Sequence, residues 1–410
     1  MLQLLEDKQI HVHADRGELV VRAPRGAIDQ ALGEKLKREK GALLAELERV
    51  GRERGARNSN RRITPDMVTL VDLSQDAIDA IVARVEGGAA NVADIYPLAP
   101  LQEGILFHHL LEEGADTYLL STVLGFESRQ RLDGFVEALQ QVIDRHDILR
   151  TGFAWEGLEQ PVQVVRRRAT LPVETVALDP RGGDIAAQLE ALHHPSRHRM
   201  DIRRAPLLAC YAAHDREGRR WLLHVLAHHL ICDHTTLEIM VEEARAIERG
   251  QKSALPRPAP FRNFVAQARR GTSQDAHDAF FRELLGDIDE PTAPFGVLEV
   301  QGSGADLAEA RRMLDPTTSA AIRDVARRLR VSAAAVMHLA WALVLARTTG
   351  RREVVFGTLL FGRMQGGAAA DRTLGLFINT LPLRLGIGDG GARDTLERTH
   401  QLLVQLLRHE

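Results

Sequence analysis

The sequence predicts an α/β protein made of more than one folding unit. Three observations carry this expectation. The chain has 410 residues, and one domain ordinarily takes about 100–200. From Asp94 onward, runs of strand type alternate with runs of helical spacing. A charged, polar stretch, GRERGARNSNRRITP (51–65), sets this body apart from a short N-terminal unit, as a solvated linker would.

Residues 1 to about 50 read as αββα(α). LQLLEDK suggests a short helix. Ile10 and Val12 then alternate with His11 and His13, DRG supplies a turn, and Leu19 and Val21 resume the alternation of a hairpin. Ile28, Leu32, Leu36, Leu43, Leu44 and Leu47 recur at helical spacing. A two-stranded sheet in so small a unit leaves an open edge, which invites a partner strand. After the linker, Ser74 is placed to cap a helix whose apolar stripe is Ala77, Ile78, Ile81, Val82 and Val85, ending at Gly87 and Gly88. Helices are expected at 101–114 and 132–146, and strands at 160–167 and 219–230. The last of these, RRWLLHVLAHHL, is almost wholly apolar and so central to a sheet. Beyond a Gly-rich break, VQGSGAD, two helical runs, TTSAAIRDVARRL and AAAVMHLAWALVLART, and the strand EVVFGTLLF imply a second α/β lobe.

With 44% hydrophobic and 27% charged residues, neither disorder nor a fibrous repeat is needed. A net charge of -3 offers no general attraction to nucleic acid or an anionic membrane. Cys210 and Cys232 are the only cysteines, too few for a disulfide framework. Glu6 interrupts the N-terminus early, and no run approaches the ~18 apolar residues of a membrane span. A cytoplasmic protein is expected, with no nucleic-acid or membrane partner.

The chemistry concentrates in AHHLICDHTT (227–236), which holds His228, His229, Asp233 and His234, with His224 just before it. The spacing matches neither H-E-x-x-H nor the H-x-H-x-D-H of metallo-hydrolases, so no metal is expected. Acid/base work is open to a neutral imidazole near pH 7. A buried polar pair is the structural alternative. Neighbours on a strand point to opposite faces, so His228 and His229 share a site only if the strand breaks between them.

HHLICDH closely resembles the HHxxxDG signature of nonribosomal peptide synthetase condensation domains, with His234 in place of the glycine. YPLAPLQEGILFHHLL (96–111), RHDILRTGF (145–153), MDIRRAPLL (200–208), PFRNFVAQAR (260–269) and LGLFINTLPLR (374–384) follow in the family's order. The resemblance implies two chloramphenicol-acetyltransferase-like lobes in a V, over 92–270 and 271–410, with a tunnel between them and the second lobe incomplete at LLRHE. It implies amide formation between donor and acceptor carried on the phosphopantetheine of partner carrier proteins, no directly bound cofactor, and a downstream adenylation domain. His229 is then the residue that positions or deprotonates the amine, His228 and Asp233 complete the catalytic motif, and Arg363 or Arg312 pairs with Asp233. Asn379 belongs to a strand near the tunnel.

HHLxxDHTT with FGRMQGG is similar to the dual epimerisation/condensation subgroup, which carries a further motif, HH[I/L]xxxxGD. Here HHLLEEGAD (108–116) has Ala115 for the glycine and Asp116 in register. That likeness makes His108, His109 and His234 candidates for epimerisation or the tunnel. Helical spacing groups Ile105, His108 and Glu112 on one face, with His109 about 100° away. Plain condensation, or an inactive docking and scaffold fragment, are the alternatives. Residues 1–55 resemble TubC-type docking domains, and 56–91 a linker with an amphipathic helix. The resemblance implies capture of an upstream subunit's C-terminal peptide as an added strand beside Leu19, Val20, Val21 and Arg22.

Overall fold

The computed structural model describes residues 11–15, 18–22, 41, 62–111, 116–195, 197–270, 272–298, 310–362, 372–388 and 390–409, with backbone alone for 11–15, 18–22, 270 and 274. The chain divides into two units, Met1–Ala93 and Asp94–Glu410. In the first, β1 (His11–Asp15) pairs antiparallel with β2 (Glu18–Arg22), Val12 opposite Val21. The helices expected before and after this hairpin lie, apart from Gly41, outside the described residues. Helix α1 (Gln75–Ala83) starts where Ser74 accepts from the Ala77 N–H at 3.2 Å and buries Ile78 and Ile81. It ends earlier than expected, at Arg84, and Gly87 (φ 85°) instead opens a short 3-10 turn.

From the boundary, which falls within β3 (Val92–Pro97), the chain continues with α2 (Pro100–Leu111), β4 (Leu119–Phe126), α3 (Arg129–Arg145), β5 (Thr151–Ala154), β6 (Val162–Arg166), β7 (Val173–Thr175), α4 (Ile185–Leu192), β8 (Leu208–Asp215), β9 (Arg220–His228) and α5 (His234–Glu248). These are followed by α6 (Phe261–Arg270), α7 (Gln274–Leu285), α8 (Pro316–Leu329), α9 (Ala333–Thr349), β10 (Glu353–Phe361), β11 (Ile378–Gly386) and α10 (Ala392–Leu406). The strands form a four-stranded sheet β4-β9-β8-β7, a three-stranded sheet β3-β6-β5 and the pair β10-β11. The apolar run centred on Leu223 is an inner strand, as its composition requires, and pairs antiparallel on both sides.

Side-chain caps start most of the helices. Ser128, Asp184, Asp233, Ser273, Asp315 and Ser332 each accept a backbone N–H of the first turn. Leu132, Phe135, Leu139, Val142 and Ile143 are the buried stripe of α3, which packs on α5. At its end, Arg145 Nε and His146 Nε2 reach Glu243 Oε2 of α5 at 3.0 and 2.9 Å. A second core joins Ala342, Leu345 and Ala346 of α9 to Val354, Leu383, Leu396 and Leu403. Among the described residues no single helix is long and apolar enough to cross a membrane. The architecture is a mixed α/β fold in which β9 delivers the chain, at its C-terminal end, to the polar turn at 228–234.

Candidate active site

β9 is buried along most of its length, and its last residue is a histidine. His228 is extended (φ -89°, ψ 135°) and pairs with Leu119 of β4. Its Nδ1 accepts from the Leu230 N–H at 3.0 Å, which bends the chain into a 3-10 turn over His229–Ile231. The strand therefore breaks between the two histidines, two residues before the expected end of the strand. His228 is fully buried, whereas His229 is half-buried.

The main-chain N–H of His229 donates to Tyr118 O at 2.9 Å. Its Nδ1 lies 3.1 Å from Cys232 O. A carbonyl oxygen only accepts, so Nδ1 carries the proton and Nε2 keeps a lone pair. Burial pushes the imidazole pKa down, against the pull of Cys232 O and Asp233. A neutral base with its acceptor nitrogen free of this contact is what results. The neighbouring thiol is no nucleophile, because burial pushes Cys232 far up.

A second cluster lies beside it. Asp116 Oδ2 is 3.3 Å from His228 Nε2 and 3.4 Å from His109 Nδ1. All three atoms are buried, and none makes a well-aligned hydrogen bond. Burial pushes the Asp116 carboxyl up, but the two imidazoles outweigh it and hold the group well below the ordinary carboxylate range. The three ligand-type atoms lie within 4.8 Å of one another, a set that zinc could use. The donor chemistry opposes it. His228 Nδ1 accepts a backbone N–H, so the proton sits on Nε2, the nitrogen a metal would need, and moving it would set two N–H groups against each other.

The expected grouping of Ile105 with His108 does not hold. Helix α2 buries Gln102, Ile105, Leu106 and His109, while His108 is exposed. The reason is the centre of the stripe: at ~100° per residue, 102, 105, 106 and 109 cluster and 108 falls outside. The His108 ring lies 6.1 Å from that of Tyr118. Glu112 through Ala115 of that motif lie outside the described residues.

Asp233 caps α5, with Oδ1 accepting from Thr236 N at 2.7 Å and Oδ2 from Phe377 N at 3.4 Å. Thr236 Oγ1 donates to Gly375 O at 2.8 Å. Gly375 (φ 146°) allows this approach, since a Cβ there would stand 2.2 Å from the Phe261 ring. No ion pair joins the exposed Arg312 to the buried Asp233, and Arg363, the other candidate, lies outside the described residues. His234 does not join the cluster: its side chain is 85% exposed and faces Glu238 at 3.2 Å. Its position is the first of a helix, where no positive φ is needed. Asn379 sits on β11 opposite Leu360 and lines a cavity of about 150 Å³ with Phe264 and Phe377. Leu19, Val20, Val21 and Arg22 lie on β2, in the other unit.

Sequence reasoning missed Gln102. Fully buried, it accepts from Ala99 N at 2.8 Å and donates to Leu230 O at 2.7 Å, gripping the turn that holds His229. A glutamine inside an apolar helical stripe was the available signal.

A family model described as Condensation domain matches residues 92–410. The malpinin synthetase of Mortierella alpina is 48% identical over 85% of this chain, which spans 4% of that protein. The cyclization-docking bidomain of EpoB from Sorangium cellulosum superposes with a TM-score of 0.61 at 17% identity, covering 100% of this chain and 76% of that one. The first condensation domain of the CDA synthetase gives 0.60 at 20% identity, over 77% of this chain and 75% of that one.

Proposed function

The chain belongs to the condensation-domain family, and from that premise we propose that it joins two carrier-bound substrates by an amide bond in nonribosomal peptide synthesis. The donor is an aminoacyl or peptidyl thioester and the acceptor an aminoacyl amine, each on the phosphopantetheine of a carrier protein. The acceptor nitrogen attacks the thioester carbon, the C–S bond breaks, and the proton lost by the amine reaches the departing thiolate by way of His229 Nε2. The observation that carries this reading is the Nδ1 contact to Cys232 O, which leaves Nε2 with the lone pair. His228 and Asp233 hold the turn on either side.

The dual epimerisation/condensation assignment belongs to the same proposal, with the donor residue inverted before transfer. HHLLEEGAD and the exposed His108 support it; the burial of His109 and Asp116 favours plain condensation instead, since neither is open to a substrate. We assign 1–55 to docking, 56–91 to a linker and 92–270 and 271–410 to two lobes in a V. Capture of an upstream subunit's C-terminal peptide along Leu19–Arg22 of β2 agrees with the two-stranded β1-β2 sheet. The likeness of the whole chain to a cyclization-docking bidomain points the same way.

The test is a single-turnover reaction of this chain with a donor carrier loaded with an L-configured dipeptidyl thioester and a loaded acceptor carrier, followed by chiral analysis. An amide product with D configuration at the donor residue is expected. Retention of L would overturn the dual assignment and leave condensation standing; absence of product would overturn both.

A further inference from the structure

We propose that Asp116 is a positioning residue for His229, acting through a closed ring of contacts that fixes the tautomer of His228. This rests on the condensation reading above and joins two sequence motifs that stand 112 residues apart between Asp116 and His228. The ring has four links. Tyr118 N–H donates to Asp116 Oδ1 at 3.3 Å, and Tyr118 O accepts the His229 N–H at 2.9 Å. Leu230 N–H donates to His228 Nδ1 at 3.0 Å, and His228 Nε2 faces Asp116 Oδ2 at 3.3 Å. The carboxylate thus reaches the residues immediately before and after His229 and the main chain of His229 itself.

Leu230 N–H requires a lone pair on Nδ1, which leaves the proton on Nε2, and the burial of that proton is tolerable only beside an acceptor. Asp116 Oδ2, 3.3 Å away, is the acceptor that faces it. Replace its charge by an amide, and His228 gains a reason to move its proton to Nδ1, where it collides with Leu230 N–H and releases the turn. His109 is the second imidazole at the same oxygen, and its own carbonyl accepts from Arg199, so helix α2 is held to the ring as well.

The experiment joins kinetics to spectroscopy on the full chain. Asp116→Asn is expected to lower kcat about 10- to 100-fold, the range for a misplacement of about 1 Å at a reacting group, with KM within about twofold of the original. His228→Asn keeps an acceptor oxygen for Leu230 N–H and removes Nε2. If Asp116 acts through His228, the pair is non-additive, and adding Asp116→Asn to His228→Asn costs less than about twofold more. Nitrogen-15 imidazole spectra of the unaltered chain should show His228 protonated at Nε2. A proton on Nδ1, stoichiometric zinc lost on His109→Ala, unchanged kcat in Asp116→Asn, or full additivity would each overturn the proposal. The tautomer is read without turnover, so failure of the condensation reading is distinguishable from failure of this one, and a proton on Nδ1 overturns the proposal even where Asp116→Asn does not fold.

Discussion

His228 and His229 are adjacent, yet their rings carry the proton on opposite nitrogens. One is told by an N–H donor, the other by a carbonyl acceptor. Sequence could say that they divide the labour only if the strand broke; it could not say which main-chain groups would meet each ring. His224, four residues earlier, has a third setting: fully buried, with Nε2 2.8 Å from Ser121 Oγ. Burial, with the His193 charge adding to it, pushes its pKa down to about 4. Unfolded histidine takes its proton near ~6.5, so as pH falls from there toward 4 the unfolded state binds a proton that the folded state refuses. Stability from this group is complete above ~6.5 and is lost as pH falls through that window. Melting temperature measured between pH 7 and 4 should decline, and His224→Asn should flatten the decline. An unchanged slope would contradict the buried, neutral assignment.

Among the elements, α5 bears most directly on the site, because its N-cap is also a motif residue. Asp233 satisfies Thr236 N and Phe377 N, tying the start of α5 to the segment leading into β11. Asparagine caps about as well as aspartate, whereas alanine does not. Asp233→Ala should cost about 1–2 kcal/mol and Asp233→Asn less, since its amide oxygen keeps the Thr236 cap and only the longer contact to Phe377 N is lost, read from urea midpoints of the two variants. Equal losses would show that the charge, rather than the cap, matters. Sequence made the strong elements legible: α3 through its long apolar stripe, β9 through composition, and α1 through Ser74. It failed where packing decides. β9 stops at His228 because a side chain diverts it, and α2 buries His109 rather than His108 because Gln102 and Leu106 shift the centre of its stripe.

At the scale of the whole molecule, the ordered motifs from Tyr96 to Arg384 point to the family on sequence alone, since several short signatures in one order are more specific than any one of them. The hub around Asp116 was not legible. Its three members stand at 109, 116 and 228, and nothing in local spacing brings a helix end, a loop and a strand end to one oxygen. His234 shows the converse: close in sequence to the cluster, it turns outward on the first turn of α5. The proposed role of His229 is to serve the transfer of the donor to the acceptor amine. Its most direct test is the intact mass of the acceptor carrier after a single turnover with loaded donor carrier, comparing the chain with His229→Ala at matched melting temperature. The acceptor should gain the donor's mass with the original chain, at a rate at least about 100-fold lower with the variant; equal rates would overturn that role.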